Sequence, residues 1–474
     1  MREIARLLLP SVHWDDARGF ASAKPAVMRA LADGIAGFVI EGGTCDAVAE
    51  LAADIHRNAE EAPIIAVAPL ALSSPAWRDH PLPLPPAGAI ASLRDHLAIR
   101  RAATAVAREV LRAGCNTILA PSCDVAVPPS ADSFARDASD VAVAGAEWID
   151  AARAEGVLCI AGQFPGGGRA STAPGNQPAI VRDSDDALYA SDLVPFRAAI
   201  DAGVAGLLVS NAAYSSLDRT ESPAPLSAPI LMGLLRRQLG FDGLAVADAA
   251  SLNSRRGGGI GARDLVRAGI DLVLRPANVD LELHAMMYAV QAGQLDRERV
   301  HEAARRRRSC AEMAGSPTTS SGIDDDAVWL DEVAERAISV VRGRAVRVVS
   351  PIEVVAVGVM SQVVPDLVMA FAEGIADAGG DASNVRHVEA PSSAVHTTLV
   401  VVAASDDQIA SESVVDAIDS LCAAARALRR DVVVVWCGHP ATTPAMPAAS
   451  LAISSWSRGA TMIRAAGRWL VRRV

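Results

Sequence analysis

The sequence predicts an α/β protein in which a (β/α)8 TIM-like barrel is followed by a smaller α/β sandwich domain. The chain has 474 residues, of which 51% are hydrophobic, so it can bury more than one large core. Short apolar runs alternate with longer, Ala-rich helical stretches, which is typical of parallel β/α units. A second series of strand-like runs begins near residue 351. Together these observations indicate two α/β domains in one chain.

The strand-like runs of the first part are short and apolar, as buried strands are. They are Arg6–Val12, Gly37–Glu41, Pro63–Pro69, Asn116–Pro121, Val157–Phe164, Ala205–Asn211, Gly243–Asp248 and Asp271–Arg275. Eight parallel β/α units close into a barrel whose active site lies at the carboxyl ends of the strands. We therefore assign residues 1–315 to the barrel.

A linker and a second domain follow the barrel. The segment Gly315–Asp326 is rich in small and turn-forming residues and then acidic, so residues 316–350 are predicted to be a linker with a connecting helix at about Asp326–Val341. Residues 351–474 are predicted to be the sandwich domain. Its strand-like runs are Glu353–Val359, Thr397–Ala403, Val432–Cys437 and Leu451–Ser455, and its helical stretches are Val364–Ala378, Glu412–Leu428 and Thr461–Arg473.

Composition and charge argue against several classes of binding partner. A net charge of −11 and an aromatic content of 4% argue against a nucleic-acid partner. No apolar run has the roughly 18 residues of a membrane span, and the start of the chain lacks the apolar core of a signal peptide. The seven cysteines form no C-x-x-C pair, so we expect no metal, no cofactor and a cytoplasmic protein with reduced thiols. The oligomeric state is not predicted.

Residues directly after the barrel strands are the first candidates for a functional site. Asp248 ends the apolar run L-A-V-A-D, where a carboxylate tends to face the barrel mouth, although it can instead cap the next helix. The loop that starts at Gln163 is long and rich in Gly and Pro, and such loops tend to be functional. The other strand-end candidates are His13, Glu41, Asp124, Asn211, Tyr214 and Arg275.

Four motifs follow one another between Asp192 and Asp248. They read D-L-V-P-F, Y-S-S-L-D, P-A-P-L-S and L-L-R-R-Q-L-G-F-D-G. With the upstream F-P-G-G-G that starts at Phe164, and with Asn116–Val125, they resemble glycoside hydrolase family 3, in particular its β-N-acetylhexosaminidase-like branch. The resemblance implies a barrel followed by a sandwich domain, hydrolysis of a glycoside, and Asp248 as the nucleophile.

The chain departs from that family at most of its polar positions. The Lys-His pair and the second His of the family's K-H-F-P-G-H-G correspond to Gly162, Gln163 and Gly167. The D-x-H pair, whose His is the general acid/base in that branch, corresponds to Ala173 and Gly175. Three further family residues, an aspartate, an arginine and a histidine, are replaced by Ala68, Asp132 and Asn211.

Two functions remain open on these residues. The first is a retaining glycosidase acting on a β-linked (amino)sugar or an unusual glycoside, with Asp248 as nucleophile. Its acid is missing from the barrel loop, and Glu412 of the second domain is a candidate by resemblance to the family's β-glucosidase branch. The candidate residues for binding the sugar-like ligand are His13, Asp124, Asp132, Gln163, Arg169, Asn211 and Tyr214.

The second function is a repurposed or catalytically inactive homologue that binds a ligand or a partner. The loss of the family's polar set favours it. For the same reason we expect the loop Gly162–Pro178 to be mobile or folded away from Asp248, because it lacks the charged and imidazole groups that order its family counterpart around substrate.

Overall fold

The structure is a computed structural model that describes residues 2–68, 82–170, 179–256, 259–315, 323–343, 352–359, 363–383, 385–388, 398–404, 411–446 and 448–473. The chain divides into two compact units. The first comprises Met1–Leu82, Ile99–Val127 and Ala135–Ile323, and the second comprises Pro83–Ala98, Pro128–Phe134 and Asp324–Val474. Two short segments that precede residue 135 therefore belong to the second unit by their contacts.

Within the described residues, the first unit is built on a nine-stranded parallel sheet, beside which β7 and β9 form a short parallel ladder. In chain order the strands are β1 (Leu8–Leu9), β2 (Ser11–His13), β3 (Gly37–Glu41), β4 (Ile64–Ala68), β5 (Thr117–Ile118), β6 (Leu158–Phe164), β7 (Ile180–Val181), β8 (Gly206–Val209), β9 (Ala213–Tyr214), β10 (Leu244–Asp248) and β11 (Leu272–Leu274). Each of the eight runs that the sequence predicts contains one of these strands, and the predicted barrel is confirmed.

The sheet nearly closes through its first segment. β1 pairs with β11, the last strand, and β2 pairs with β3. Pro10 separates β1 from β2 because it has no N–H to donate, while its carbonyl still accepts a hydrogen bond from Val39. The remaining pairs run in the order β11-β10-β8-β6-β5-β4-β3. This order brings the carboxyl ends of all the barrel strands to one rim.

Apolar side chains fill the interior below that rim. Alternate strand residues such as Val39, Ile64, Ile160 and Val246 are buried together in one cluster. A barrel filled by side chains has no channel, so a ligand meets the strand ends and the loops that follow them.

Several helices between residues 2 and 312 bury apolar side chains at helical spacing. One example is α3, which buries Val48, Leu51, Ala52 and Ile55 at helical spacing and begins after Thr44, whose side chain accepts a hydrogen bond from the N–H of residue 47. In chain order the helices are α1 (Arg2–Ala5), α2 (Lys24–Ala32), α3 (Cys45–Asn58), α4 (Ala87–Ser92), α5 (His96–Arg112), α6 (Ala138–Ala154), α7 (Asp185–Ala187), α8 (Leu193–Asp201), α9 (Ala249–Arg256), α10 (Ala262–Ala268), α11 (Val279–Gln291) and α12 (Arg297–Glu312), with π-helical turns at Leu188–Asp192 and Pro229–Gln238 and a 3₁₀ turn at Ala224–Leu226.

The second unit is a three-layer sandwich around a mixed sheet of six strands in the described residues. The strands are β12 (Ser339–Gly343), β13 (Ile352–Val357), β14 (Val385–His387), β15 (Thr398–Ala403), β16 (Val432–Trp436) and β17 (Leu451–Ser454), in the order β12-β17-β16-β15-β13-β14 with only β12 antiparallel. The helices are α4, which lies in the segment Pro83–Ala98, α13 (Ile323–Ala337), α14 (Val364–Asp377), α15 (Glu412–Ala427) and α16 (Ala460–Arg472), and a 3₁₀ turn spans Pro440–Thr442.

The two faces of this sheet are covered by different helices. Phe371 of α14 and Leu470 of α16 pack on one face, and Ile418 of α15 packs on the other. The predicted sandwich fold is confirmed. The connecting helix, however, ends at Ala337 instead of about Val341, because the β-branched stretch from residue 339 pairs with β17.

Candidate active site

A charged pair joins the last two strands of the barrel at the rim. Asp248 is the final residue of β10, and Arg275 directly follows β11. The Nε of Arg275 donates to Oδ1 of Asp248 at 3.0 Å, and its Nη2 donates to Oδ2. A two-point contact of this kind sets the orientation of the carboxylate as well as neutralising it. The hydrogen bond to Asp248 raises the pKa of the Arg275 guanidinium, and burial partly opposes that rise.

The pair continues along the rim to Glu41 and His13. Nη1 of Arg275 lies 3.5 Å from Oε1 of Glu41, and Oε2 of Glu41 lies 3.2 Å from Nδ1 of His13. These residues come from the ends of β2, β3 and β10 and from the position after β11. The N–H of Ser251 donates to Oδ1 of Asp248 at 3.4 Å, so Asp248 also caps the helix that follows β10.

A cavity of about 280 Å³ opens beside Asp248, and we call it the Asp248 cavity. It brings together Asp248 and three other sequence-predicted residues, Asp124, Gln163 and Asn211. Oδ1 of Asn211 is buried and has no hydrogen-bond partner within the described residues. This cavity residue therefore has an acceptor oxygen to which no described group donates. Among the described residues, the cavity is lined by Asp124, Gln163, Gly167, Ala170, Ala179, Leu208, Val209, Ser210, Asn211, Ala212, Asp248 and Ser251.

Asp124 holds the first turn of the loop after β6. Its Oδ1 accepts hydrogen bonds from the N–H of Gly167 at 2.6 Å and from the N–H of Gln163 at 3.2 Å. Burial raises the pKa of Asp124 to about 6, although these two hydrogen bonds oppose the shift. A Cβ at Gly167 would lie 3.1 Å from Oε1 of Gln163 and 3.3 Å from Oδ2 of Asp124. A larger side chain at Gly167 would therefore require Gln163 and Asp124 to shift by a few tenths of an ångström.

The same loop is tied to the barrel wall by an ion pair. Nε of Arg169 lies 2.9 Å from Oδ2 of Asp192, the aspartate of the D-L-V-P-F motif, whose side chain is fully buried. Burial raises the pKa of Asp192, and the neighbouring guanidinium opposes the rise. The hydroxyl of Tyr214, also buried, donates to the carbonyl of Gly166 at 2.9 Å. Arg169 and Tyr214 thus hold the loop, and neither lines the Asp248 cavity.

The described part of the loop after β6 lies beside Asp248. Gln163, Gly167 and Ala170 line the cavity with Asp248, so the alternative that the loop folds away from Asp248 is wrong for residues 163–170, and the alternative that it is mobile stays a prediction. Residues 171–178, which include Ala173 and Gly175, lie outside the described residues.

The remaining candidates lie apart from this cavity lining. His13 is exposed and lines a second cavity of about 450 Å³ between β2 and the helices α2 and α11. Asp132 belongs to the segment Pro128–Phe134, which is part of the second unit. Glu412 is the exposed first residue of α15, also in the second unit. Asp248 belongs to the first unit.

The sequence identifies most of the candidate residues, but it does not show which side chains bind them. Arg275 and Glu41 are recognised only as strand-end positions, and nothing in the local sequence pairs either with Asp248. Asp192 is recognised as part of a motif, but its role as the buried partner of Arg169 is not.

Within the described chain, no cluster of three His, Cys, Asp or Glu side chains is placed to hold a metal ion. Among the described helices, none has both the length and the apolarity to span a bilayer.

Known proteins resemble this chain in sequence over part of its length. The family model described as the glycosyl hydrolase family 3 N terminal domain matches residues 78–309. A beta-N-acetylglucosaminidase/beta-glucosidase of Cellulomonas fimi is 32% identical over 229 residues, which cover 45% of this chain and 40% of that protein. A beta-hexosaminidase of Stenotrophomonas maltophilia is 33% identical over 158 residues, which cover 32% of this chain and 47% of that protein. The chain therefore matches less than half the length of these two relatives.

Solved structures resemble the chain over its whole length. A glycoside hydrolase family 3 beta-N-acetylglucosaminidase from Paenibacillus sp. aligns with a TM-score of 0.83 and 21% identity, covering 100% of this chain and 96% of that chain. A structure of the beta-glucoside phosphorylase BglX aligns with a TM-score of 0.76 and 14% identity, covering 100% and 92%. At these identities the likeness shows the fold, a barrel followed by an α/β domain.

Proposed function

The chain contains a glycoside hydrolase family 3 domain, and on that premise we propose that it is a retaining glycosidase acting on a β-linked N-acetylglucosamine or glucose residue. Asp248 is the proposed nucleophile, which attacks the anomeric carbon and forms a glycosyl-enzyme that water then hydrolyses. The named relatives support this substrate class, because they are described as hexosaminidases and glucosidases.

The observation that carries the proposal is the placement of Asp248. It lines the cavity at the barrel rim, and Arg275 holds its carboxylate at two points. A nucleophile gains from a fixed orientation, because misplacement by about 1 Å can cost about 10²-fold in rate. The buried acceptor of Asn211 supports a polar ligand in the same cavity, since a sugar hydroxyl or amide N–H is a suitable donor. A cavity of about 280 Å³ suits a single sugar ring.

We also propose a cytoplasmic location. The seven cysteines are free and buried, as in a protein kept in a reducing compartment.

The second candidate function is a non-catalytic homologue that binds a sugar-like ligand. One observation favours it, namely that Arg275 engages both oxygens of Asp248. A carboxylate held in this way can serve as a structural ion pair at the rim. The two functions differ in whether Asp248 ever bonds to a sugar.

The test is covalent labelling with a panel of 2-fluoroglycosides carrying activated leaving groups, read by intact mass and peptide mapping. We expect wild-type protein to gain the mass of one sugar at Asp248, and Asp248→Asn to gain none. Turnover of activated aryl glycosides should fall by about 10⁴-fold in Asp248→Asn, because the neutral amide is a poor nucleophile. Circular dichroism of both proteins checks that the fold is retained. If neither protein turns over or is labelled and both bind the sugars equally, the non-catalytic function is correct.

A further inference from the structure

The Asp248 cavity contains a second carboxyl group that can replace the general acid/base missing from the loop after β6. Ala173 and Gly175 stand at the positions of the family's acid/base pair, and neither side chain can transfer a proton. We propose that Asp124 is the general acid/base of this site, working with Asp248 as nucleophile. This inference rests on the proposed function, and its test separates the two.

The first support is the position of the two carboxylates. Among the described residues that line the Asp248 cavity, Asp124 and Asp248 are the ionisable side chains, and the others are neutral. In the sheet, β6 and β8 lie between β5, which Asp124 follows, and β10, which ends at Asp248. Residues of that intervening region, including Leu208 and Val209, form the lining between the two carboxylates. Both carboxylates therefore border the space in which a sugar would sit.

The second support is the difference between the surroundings of the two groups. Asp248 is paired with a guanidinium, whereas Oδ1 of Asp124 accepts hydrogen bonds from the backbone N–H groups of Gln163 and Gly167. Burial raises the pKa of Asp124 to about 6, and the negative charge of Asp192 adds to the rise. A pair of carboxyls in such different surroundings can divide into a proton donor and a nucleophile. A pKa of about 6 also suits a group that must donate a proton and then take one back near neutral pH.

The chemical step balances with these two groups and water. A carboxylate oxygen of Asp248 bonds to the anomeric carbon while the bond from that carbon to the leaving oxygen breaks. The electron pair of that bond goes to the leaving oxygen, which takes the proton of Asp124 and departs as an alcohol. Asp124, now ionised, accepts a proton from water as the water oxygen bonds to the anomeric carbon and the ester bond from that carbon to Asp248 breaks. The electron pair of the broken bond returns to the Asp248 carboxylate, so both side chains are back in their starting states.

The test compares leaving groups in Asp124→Asn. The amide oxygen of asparagine can still accept the two loop hydrogen bonds, but the side chain cannot supply a proton. We expect kcat/KM on alkyl glycosides to fall by about 10²–10⁴-fold, and far less on aryl glycosides with good leaving groups. Azide should restore turnover of the activated substrates in Asp124→Asn and yield a β-glycosyl azide, because azide needs no general base.

A matched control separates proton transfer from loop positioning. Tyr214→Phe removes the hydrogen bond to Gly166 in the same loop and leaves every cavity carboxyl in place. Any loss in this variant should be equal for all leaving groups and should not respond to azide. Equal losses in Asp124→Asn, without a glycosyl azide, overturn the proposal and leave Asp124 as a structural residue.

The remaining outcomes are also decisive. If Glu412→Gln shows the leaving-group dependence and the azide product while Asp124→Asn does not, the acid comes from the second unit and the proposal is wrong. If wild-type protein is labelled at Asp248 and Asp124→Asn behaves as wild type, the proposed function stands and the role of Asp124 falls. If wild-type protein neither turns over nor is labelled, both fall.

Discussion

Arg275→Ala should loosen the rim of the barrel, because this side chain neutralises two carboxylates from different strands. It donates to both oxygens of Asp248 and lies 3.5 Å from Glu41. Hydrogen bonds to charged groups contribute about 1.5–3 kcal/mol each when buried. The Arg275 side chain is 32% exposed, so solvent screens the contacts and we expect a total loss of about 2 kcal/mol.

The backbone at this position adds a second, separable effect. Arg275 has φ of +52°, a left-handed conformation that costs a residue with a Cβ about 1–2 kcal/mol. Glycine relieves this strain but has a more flexible unfolded state. Arg275→Gly should therefore be more stable than Arg275→Ala by about 0.5–1 kcal/mol, although both lose the ion pair.

Thermal denaturation measures both effects. For a unit of about 300 residues, a loss of 2 kcal/mol lowers Tm by about 3 °C. The control is Arg267→Ala, which removes an exposed pair with Asp264 on α10 and should shift Tm by less than about 1 °C. We also expect kcat of Arg275→Ala to fall by about 10²-fold if the ion pair orients Asp248. A Tm and kcat equal to those of Arg267→Ala would refute the structural role of Arg275, and equal stability of the Gly and Ala variants would refute the strain.

Two other predictions concern the loop after β6. Arg169→Met leaves the fully buried Asp192 without its guanidinium, so urea denaturation should show a loss of about 3–5 kcal/mol, and a loss below about 1 kcal/mol would contradict the pairing. Asp124, whose pKa rises from 3.8 to about 6 on burial, should make the protein less stable as the pH rises through that interval, because the folded form keeps a proton that the unfolded chain has released. Asp124→Asn should remove this fall of about 1–3 kcal/mol between pH 4 and pH 7, and an unchanged pH dependence of Tm would count against the raised pKa.

The barrel strands were predictable because their signal is local. Each run, such as Gly37–Glu41, is apolar throughout and is bounded by turn residues and helical patterns, so its length and type follow from the residues themselves. The same reasoning failed at β12. The stretch from residue 339 continues an amphipathic pattern, and only its pairing with β17 makes it a strand. The short edge strand β14, Val385–His387, gives no sequence signal and depends on its pairing with β13.

The sequence by itself determined the order of the elements and the place of Asp248 at the end of a barrel strand, since apolar periodicity and strand ends are read over a few residues. The tertiary structure alone decided which groups meet there. Arg275, Glu41 and Asp124 lie far from Asp248 in the chain, and closure of the sheet brings them to one rim. Burial then gives the carboxyls different surroundings, a guanidinium for Asp248 and backbone N–H groups for Asp124. Such differences depend on distances across the barrel, which no local pattern of residues contains.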